Sequence, residues 1–210
     1  MRDNPLHIRV FGTDAARREL RLRHFFDVLL GHVLRHGCLL GASTGSTADT
    51  GRLVGVLGLI KPGRCRPGPY ERLRIGAGIL SGMSPATALQ VWRWLGAWEK
   101  LDPDIPHWHV GPLAVRPGHR RQGIATELMD AGCSLIDTSD PAPAWLETDL
   151  ERNTRFYRRF GFSLARQQMV LGVPDWFMIR PAGEPTRHGC MLTTSHHSHV
   201  RTTGSERGPA

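Results

Sequence analysis

One stretch constrains this chain more than any other: Gly111 to Met129, Gly-Pro-Leu-Ala-Val-Arg-Pro-Gly-His-Arg-Arg-Gln-Gly-Ile-Ala-Thr-Glu-Leu-Met. Leu113, Ala114 and Val115 form a short apolar run ended by Pro117 and Gly118, and Ile124, Leu128 and Leu135 recur at helical spacing with Ala131 between them. That pattern predicts a buried strand, a tight turn over Arg116 to Gln122, and a helix running to about Asp137. A helix starting just after Gly123 leaves its first backbone N–H groups unpaired and turns the positive end of its dipole toward the loop. Gly123 has no Cβ, so an anion can approach the backbone closely, with Arg120 and Arg121 to add charge. A pyrophosphate is the natural guest.

What the stretch lacks narrows the choice. Gly118 and Gly123 have P-loop spacing, but Ile124 and Ala125 stand where that motif needs Lys and Ser or Thr, which disfavours a nucleoside triphosphate with magnesium. No GxGxxG follows a strand, which disfavours a dinucleotide.

Arg120, Gly123 and Ala125 match the pattern Arg/Gln-x-x-Gly-x-Gly/Ala, and a second block, Trp145-Leu-Glu-Thr-Asp-Leu-Glu-Arg-Asn-Thr-Arg-Phe-Tyr-Arg-Arg-Phe-Gly-Phe162, follows at the matching distance. Together the two blocks resemble the GNAT family of N-acetyltransferases, over about His107 to Pro181. Leu146-Glu147-Thr148, the Phe156-Tyr157 pair and Trp176 to Pro181 look closest to the branch that includes puromycin N-acetyltransferase.

The resemblance implies an α/β fold of three layers: a mixed, mostly antiparallel sheet, helices on both faces, and a splayed strand pair that holds acetyl-coenzyme A. It implies that Arg120, Arg121, Gln122, Gly123, Ile124, Ala125 and Thr126 hold the pyrophosphate. Backbone groups at Leu113, Ala114 and Val115 then meet the pantetheine arm and thioester, Asn153 contacts that arm, and Tyr157 protonates the departing thiolate. The implied reaction is transfer of an acetyl group from acetyl-coenzyme A to the amine of a small molecule. A non-catalytic coenzyme A-binding module stands as the alternative.

Acetyl transfer to an amine also needs a proton acceptor. His107 and His109 lie two apart on one predicted strand and so share a face. His109 suits a general base by its ordinary pKa, while a polar strand edge explains the pair equally well. Glu147 on the next strand is its rival, acting through water. Trp92, Trp94 and Trp98, with Leu89 and Leu95, read mainly as core; any part exposed at the cleft favours an apolar or aromatic amine. His196, His197, His199 and Cys190 have no helical frame to form a metal site, and no metal is expected.

A net charge of +8 and a pI near 10.3 raise nucleic-acid binding. Lys61 and Lys100 are the only lysines and the arginines are scattered, so no nucleic-acid partner is expected. The cysteines form no CxxC pair and no apolar run approaches the length of a membrane helix, so a cytoplasmic protein with no membrane partner is expected. A homodimer is compatible with the sequence and not required by it.

Along the chain, Ile8 to Phe11 makes one extended segment at most. Relatives carry a full first strand ahead of an arginine-rich segment like Arg17 to Arg23, so the chain is read as starting late or lacking that strand. A helix follows from an N-cap at Asp14 to His36, then a hairpin of Cys38 to Ala42 and Arg52 to Ile60. After a proline and glycine loop over 62–69 come helices over Tyr70 to Leu80 and, capped by Ser84 with Pro85 first, up to Lys100. Gly111-Pro112 predicts a bulge in the strand His107 to Val115. Ala144 to Thr148 reads as strand, Asn153 to Phe160 as helix with Asn153 a candidate cap, and Phe162 to Val173 with Trp176 to Arg180 as a closing hairpin. Residues 1–181 are one domain, and 182–210 read as a disordered tail.

Overall fold

The computed structural model describes residues 3–44 and 51–183, and the backbone of residues 200–203. The chain opens with helix α1 (Pro5–Phe11), which corrects the extended segment expected over Ile8 to Phe11. Leu6, His7, Val10 and Phe11 recur at helical spacing and are all buried. Pro5 supplies the fixed φ of a first turn. Asp149, distant in sequence, accepts hydrogen bonds from Leu6 N at 2.8 Å and Asn4 Nδ2 at 2.9 Å. The β-branched residues suggested a strand; a carboxylate brought in by the fold and an apolar helix face decided otherwise.

Helix α2 (Ala15–His36) starts as the sequence predicts, with Asp14 accepting from the amides of Ala16 and Arg17, both at 3.0 Å. Strands β1 (Gly37–Thr44) and β2 (Arg52–Ile60) form the expected antiparallel hairpin. Helices α3 (Pro69–Ser81) and α4 (Pro85–Leu101) follow, the latter capped by Ser84, which accepts from Thr87 N at 3.4 Å. Then come β3 (Trp108–Val115), α5 (Ile124–Ser139), β4 (Ala144–Thr148), α6 (Glu151–Arg158), and the hairpin of β5 (Ser163–Val170) and β6 (Val173–Arg180).

The seven-stranded sheet has the order β5-β6-β4-β3-β2-β1-β7, where β7 is Val200–Thr203. Every pair is antiparallel except β3 with β4. Ahead of α2 the described residues hold helix α1, which packs on α2, α4 and β6, and the outer edge of β1 pairs with β7. Val200 to Thr203 lie within the segment read as a disordered tail; residues 184–199 and 204–210 of that segment, with Cys190 and His196, His197 and His199, lie outside the described residues.

Alternation along the central strands builds the layers. Leu146 and Met178 enter a cluster with Leu57, Leu128, Met129 and Ile136 beneath α5. Trp145 and Phe177 enter the other cluster with Phe11, Phe25 and Trp94 from α1, α2 and α4. In the second layer Trp94 stacks on Phe25 at 5.2 Å.

The feature that positions the site is the parting of β3 from β4. Their parallel pairing covers only Trp108 with Ala144 and His109 with Trp145. Beyond those two rungs β3 stays with β2 while β4 follows β6. The predicted bulge is present as well: the β2–β3 register shifts between Leu57 and Leu59, opposite Gly111-Pro112. At Gly58 a Cβ would come within 2.5 Å of the Gly111 carbonyl oxygen, so only glycine permits this approach.

Candidate active site

The turn after β3 is built as the sequence predicts. Arg116 N continues the ladder to Val54 O at 2.8 Å and its Nε donates to Leu53 O at 2.7 Å, which fixes the strand's exit. Pro117–His119 form one 3-10 turn, Arg121 has φ of 60°, and Gly123 has φ of 86°. The left-handed Gly123 reverses the chain into α5, and a Cβ there would meet nothing within 4 Å. Thr126 N and Glu127 N both bond to Gly123 O, at 2.8 and 3.0 Å. The amides of Ile124 and Ala125 therefore have no partner among the described residues, and they open toward the turn.

A pocket of about 300 Å³ lies over these amides, walled by Arg120, Arg121 and Arg159 with Gly123, Ala125 and Thr126. Three guanidinium groups and a helix N-terminus make it an anion pocket. Ile124 contributes its amide, while its side chain packs against the core. The Gln122 side chain turns back to donate to Gly118 O at 3.3 Å, so it closes the turn rather than lining the pocket.

Val115, Arg120, Ala125 and Phe156 also line a second cavity, of about 1410 Å³, that fills the gap between the splayed strands. Leu113, Ala114, Val115, Asn153, Tyr157, His109 and Glu147 all border it. The two spaces adjoin, so an extended ligand can run from the anion pocket along β3 into the cavity. Asn153 is not the cap of α6: the helix starts at Glu151, two residues earlier than the pattern predicts, with Leu150 preceding it. The Asn153 amide instead donates to Thr148 Oγ1 at 3.0 Å, tying α6 to the end of β4.

Tyr157 stands on one side of the cavity, in ring contact with Phe156 and Phe162. Burial, then the negative charges of Glu147 and Asp149, raise its pKa and keep the phenol protonated. No hydrogen bond holds its hydroxyl among the described residues.

On the other side His109 Nε2 meets Glu147 Oε1 at 3.2 Å. Burial pulls the imidazole's pKa down, but the Glu147 carboxylate and Cys65 outweigh it and hold the pKa well above its usual value. Glu147 Oε2 is buried without a partner. His107 makes no hydrogen bond to Glu147 among the described residues; its Nδ1 is bonded to Ile105 O at 2.8 Å.

Sequence reasoning missed three neighbours. Cys65, in the proline and glycine loop, lies 3.4 Å from His109 Nδ1 and 3.4 Å from Asp102 Oδ2. Burial pushes the Asp102 carboxyl up to about 6 and raises the Cys65 thiol. Asp149 borders the cavity while holding α1. No local pattern marks any of them, because they converge from separate elements. Apolar walls come from Phe25, Phe26, Leu29 and Trp92; Trp94 is fully buried, and Trp92 is 46% exposed. Among the described residues no helix is long and apolar enough to cross a membrane.

Residues 89–164 match the family model described as acetyltransferase (GNAT) domain. The matched span begins in α4 and ends in β5, so it contains β3, the turn, α5, β4 and α6. A solved structure from Corynebacterium glutamicum, described as histone acetyltransferase HPA2 and related acetyltransferase, is similar with a TM-score of 0.58 at 18% identity, covering 88% of this chain and 86% of that one. This establishes the fold as that of the GNAT acetyltransferases. An aminoglycoside 6'-N-acetyltransferase complexed with coenzyme A is similar at 16% identity over 66% of this chain and 72% of that one, with a TM-score of 0.40, too loose a likeness to add to the argument.

Proposed function

We propose that this GNAT-fold chain is an acetyl-coenzyme A-dependent N-acetyltransferase acting on a small-molecule amine. The observation that carries the reading is the continuity of an arginine-walled anion pocket with a cavity bordered by an unbonded tyrosine hydroxyl and a buried carboxylate oxygen. Pyrophosphate at Arg120, Arg121 and the free amides of α5 directs the pantetheine arm along Leu113 to Val115, where β3 has no β4 partner for its backbone.

The acceptor enters from the side of Phe26, Trp92 and Asp149. Its nitrogen loses a proton, through water, to the Glu147 carboxylate and attacks the thioester carbonyl carbon. The C–S bond breaks and the thiolate takes the phenolic proton of Tyr157. His109, paired with Glu147, holds that carboxylate in place. Carboxylates among apolar walls favour a cationic amine on an apolar or aromatic body, which suits the puromycin N-acetyltransferase-like branch suggested by Leu146-Glu147-Thr148 and Phe156-Tyr157. We place the reaction in the cytoplasm, where thiols stay reduced; Cys38, Cys65 and Cys133 are all unpaired.

Two measurements test the reading in sequence. Acetyl-coenzyme A at about 100 times its dissociation constant stabilises a binder by about 2.7 kcal/mol, read as a thermal shift. Thiol release is then followed with a panel of aromatic and aliphatic amines. Absence of a shift overturns the cofactor assignment; a shift with no amine-dependent thiol release overturns the catalytic one.

A further inference from the structure

Four side chains that acetyl transfer does not require in common converge at one end of the cavity. They are Cys65 from the loop after β2, Asp102 just past α4, His107 immediately before β3 and His109 in its first pleat. One ligating atom of each lies within 4.8 Å of every other. A tetrahedral zinc site with ordinary Zn–N and Zn–S lengths places its donor atoms about 3.3 to 3.8 Å apart. The Cys65–His109 and Cys65–Asp102 pairs, both at 3.4 Å, already have that spacing. The widest separation closes with about 1 Å of side-chain movement, by the same bond lengths.

The second observation concerns what surrounds the histidines. His107 is buried, and its Nδ1 is committed to the Ile105 carbonyl at 2.8 Å. That fixes the proton on Nδ1 and leaves Nε2 as a lone pair, and Nε2 is buried without a partner. A buried imidazole acceptor with nothing to accept is costly unless something electrophilic meets it. His109 has the mirror arrangement: Nε2 contacts the Glu147 carboxylate at 3.2 Å, while Nδ1 points at Cys65. Metal-bound histidines characteristically donate their other nitrogen to a carbonyl or a carboxylate, and here one does each.

We propose that Cys65, Asp102, His107 and His109 bind a Zn²⁺ ion. One thiolate, one carboxylate and two neutral imidazoles balance its charge and match its preference for nitrogen and sulfur donors, whereas magnesium and calcium want oxygen. Cys65, Asp102 and His109 border the cavity, so an ion enters from it and meets His107 as the floor. With four protein ligands the coordination is closed and the ion is structural. It fastens the Cys65 loop and the end of α4 to β3, and it fixes His109 against Glu147. A second cluster, His32, His36 and Glu71, is a poorer candidate, because Arg35 at 3.4 Å and Arg74 at 3.8 Å already neutralise Glu71.

The test uses the full chain, stripped of metal with a chelator and kept reduced by a phosphine. Cobalt(II) titration should give one ion per chain, with visible bands of tetrahedral intensity and a near-ultraviolet thiolate charge-transfer band, and zinc should displace it. Cys65→Ser should abolish the charge-transfer band, and His107→Gln should weaken zinc binding at least tenfold. If Cys65→Ser does not fold, as read by circular dichroism, Asp102→Asn should show the same tenfold loss. Cys190→Ser and His36→Gln should change neither signal. No thiolate band in the parent, a band that survives Cys65→Ser, or binding lost in Cys190→Ser or His36→Gln overturns the proposal. Thiol release from acetyl-coenzyme A is a separate readout, so failure here leaves the proposed reaction standing and the converse holds.

Discussion

Replacing Asp175 with asparagine should invert the order of stability between parent and variant as pH rises. Asp175 on β6 is fully buried; its Oδ2 accepts from Trp98 Nε1 at 2.7 Å and its Oδ1 has no partner. Burial, reinforced by the charge of Glu147, pushes its pKa from the ordinary 3.8 up to about 8. Below about pH 4 both folded and unfolded states carry the proton, so the group contributes no pH dependence. From there to about pH 8 the unfolded state releases the proton and the folded state does not, so stability falls as pH rises. At about 1.36 kcal/mol per unit, the loss reaches roughly 4 kcal/mol at pH 7 and about 5 at pH 8. Asparagine cannot ionise and still accepts from Trp98, but it buries amide donors with no acceptor, at about 1 to 3 kcal/mol. The variant should therefore be the less stable protein at about pH 3.5, where the parent has lost almost nothing, and the more stable one at pH 8, by about 2 to 4 kcal/mol. Urea unfolding of both proteins between about pH 3.5 and pH 9, with m-values compared, measures the difference. Other titrating groups, Asp102 included, cancel between the two. Parallel stability profiles would refute the reasoning, since they would mean that Asp175 is already ionised in the folded protein.

Tyr157→Phe keeps the ring contacts with Phe156 and Phe162 but removes the proton donor, so acetyl-coenzyme A affinity should survive while turnover falls about 10²-fold, the lower end of general acid catalysis; equal single-turnover rates would remove it from the mechanism. Gly123→Val forces a β-branched residue to φ of 86° and blocks the anion's approach, and Arg120→Ala removes a phosphate contact worth about 1.5 to 3 kcal/mol. Calorimetry should show weaker acetyl-coenzyme A binding in both, and unchanged affinity in both would mean the cofactor lies elsewhere. Asp137→Ala strips Arg180 of a two-pronged pair at 2.7 Å that joins β6 to α5, and urea unfolding should show a loss of about 2 kcal/mol; no loss would mean the guanidinium is fully served by Phe160 O and water.

What the sequence determined by itself is whatever chemistry operates within a few residues. The caps at Asp14 and Ser84, the left-handed Gly123, the arginines beside it and the bulge at Gly111-Pro112 are local, and each stands where its residue type requires. The anion pocket was legible in part for that reason: a helix N-terminus, a glycine and two arginines lie within one turn, while its third guanidinium, Arg159, was brought in from the end of α6. Tertiary structure decided the rest. α1 is a helix because Asp149, far along the chain, accepts from its first amide and because its apolar face meets α2 and α4. Asn153 has no capping role because α6 begins two residues before it, and its side chain ties the helix to Thr148 instead. Asp102, Cys65 and Asp175 have the same side chains in any sequence context, and only burial and the neighbours that the sheet brings to them shift their pKa values and put them beside His109 or Trp98. Electrostatic and metal-ligating properties depend on distance in space and on exclusion of water, and neither is a property of spacing along a chain.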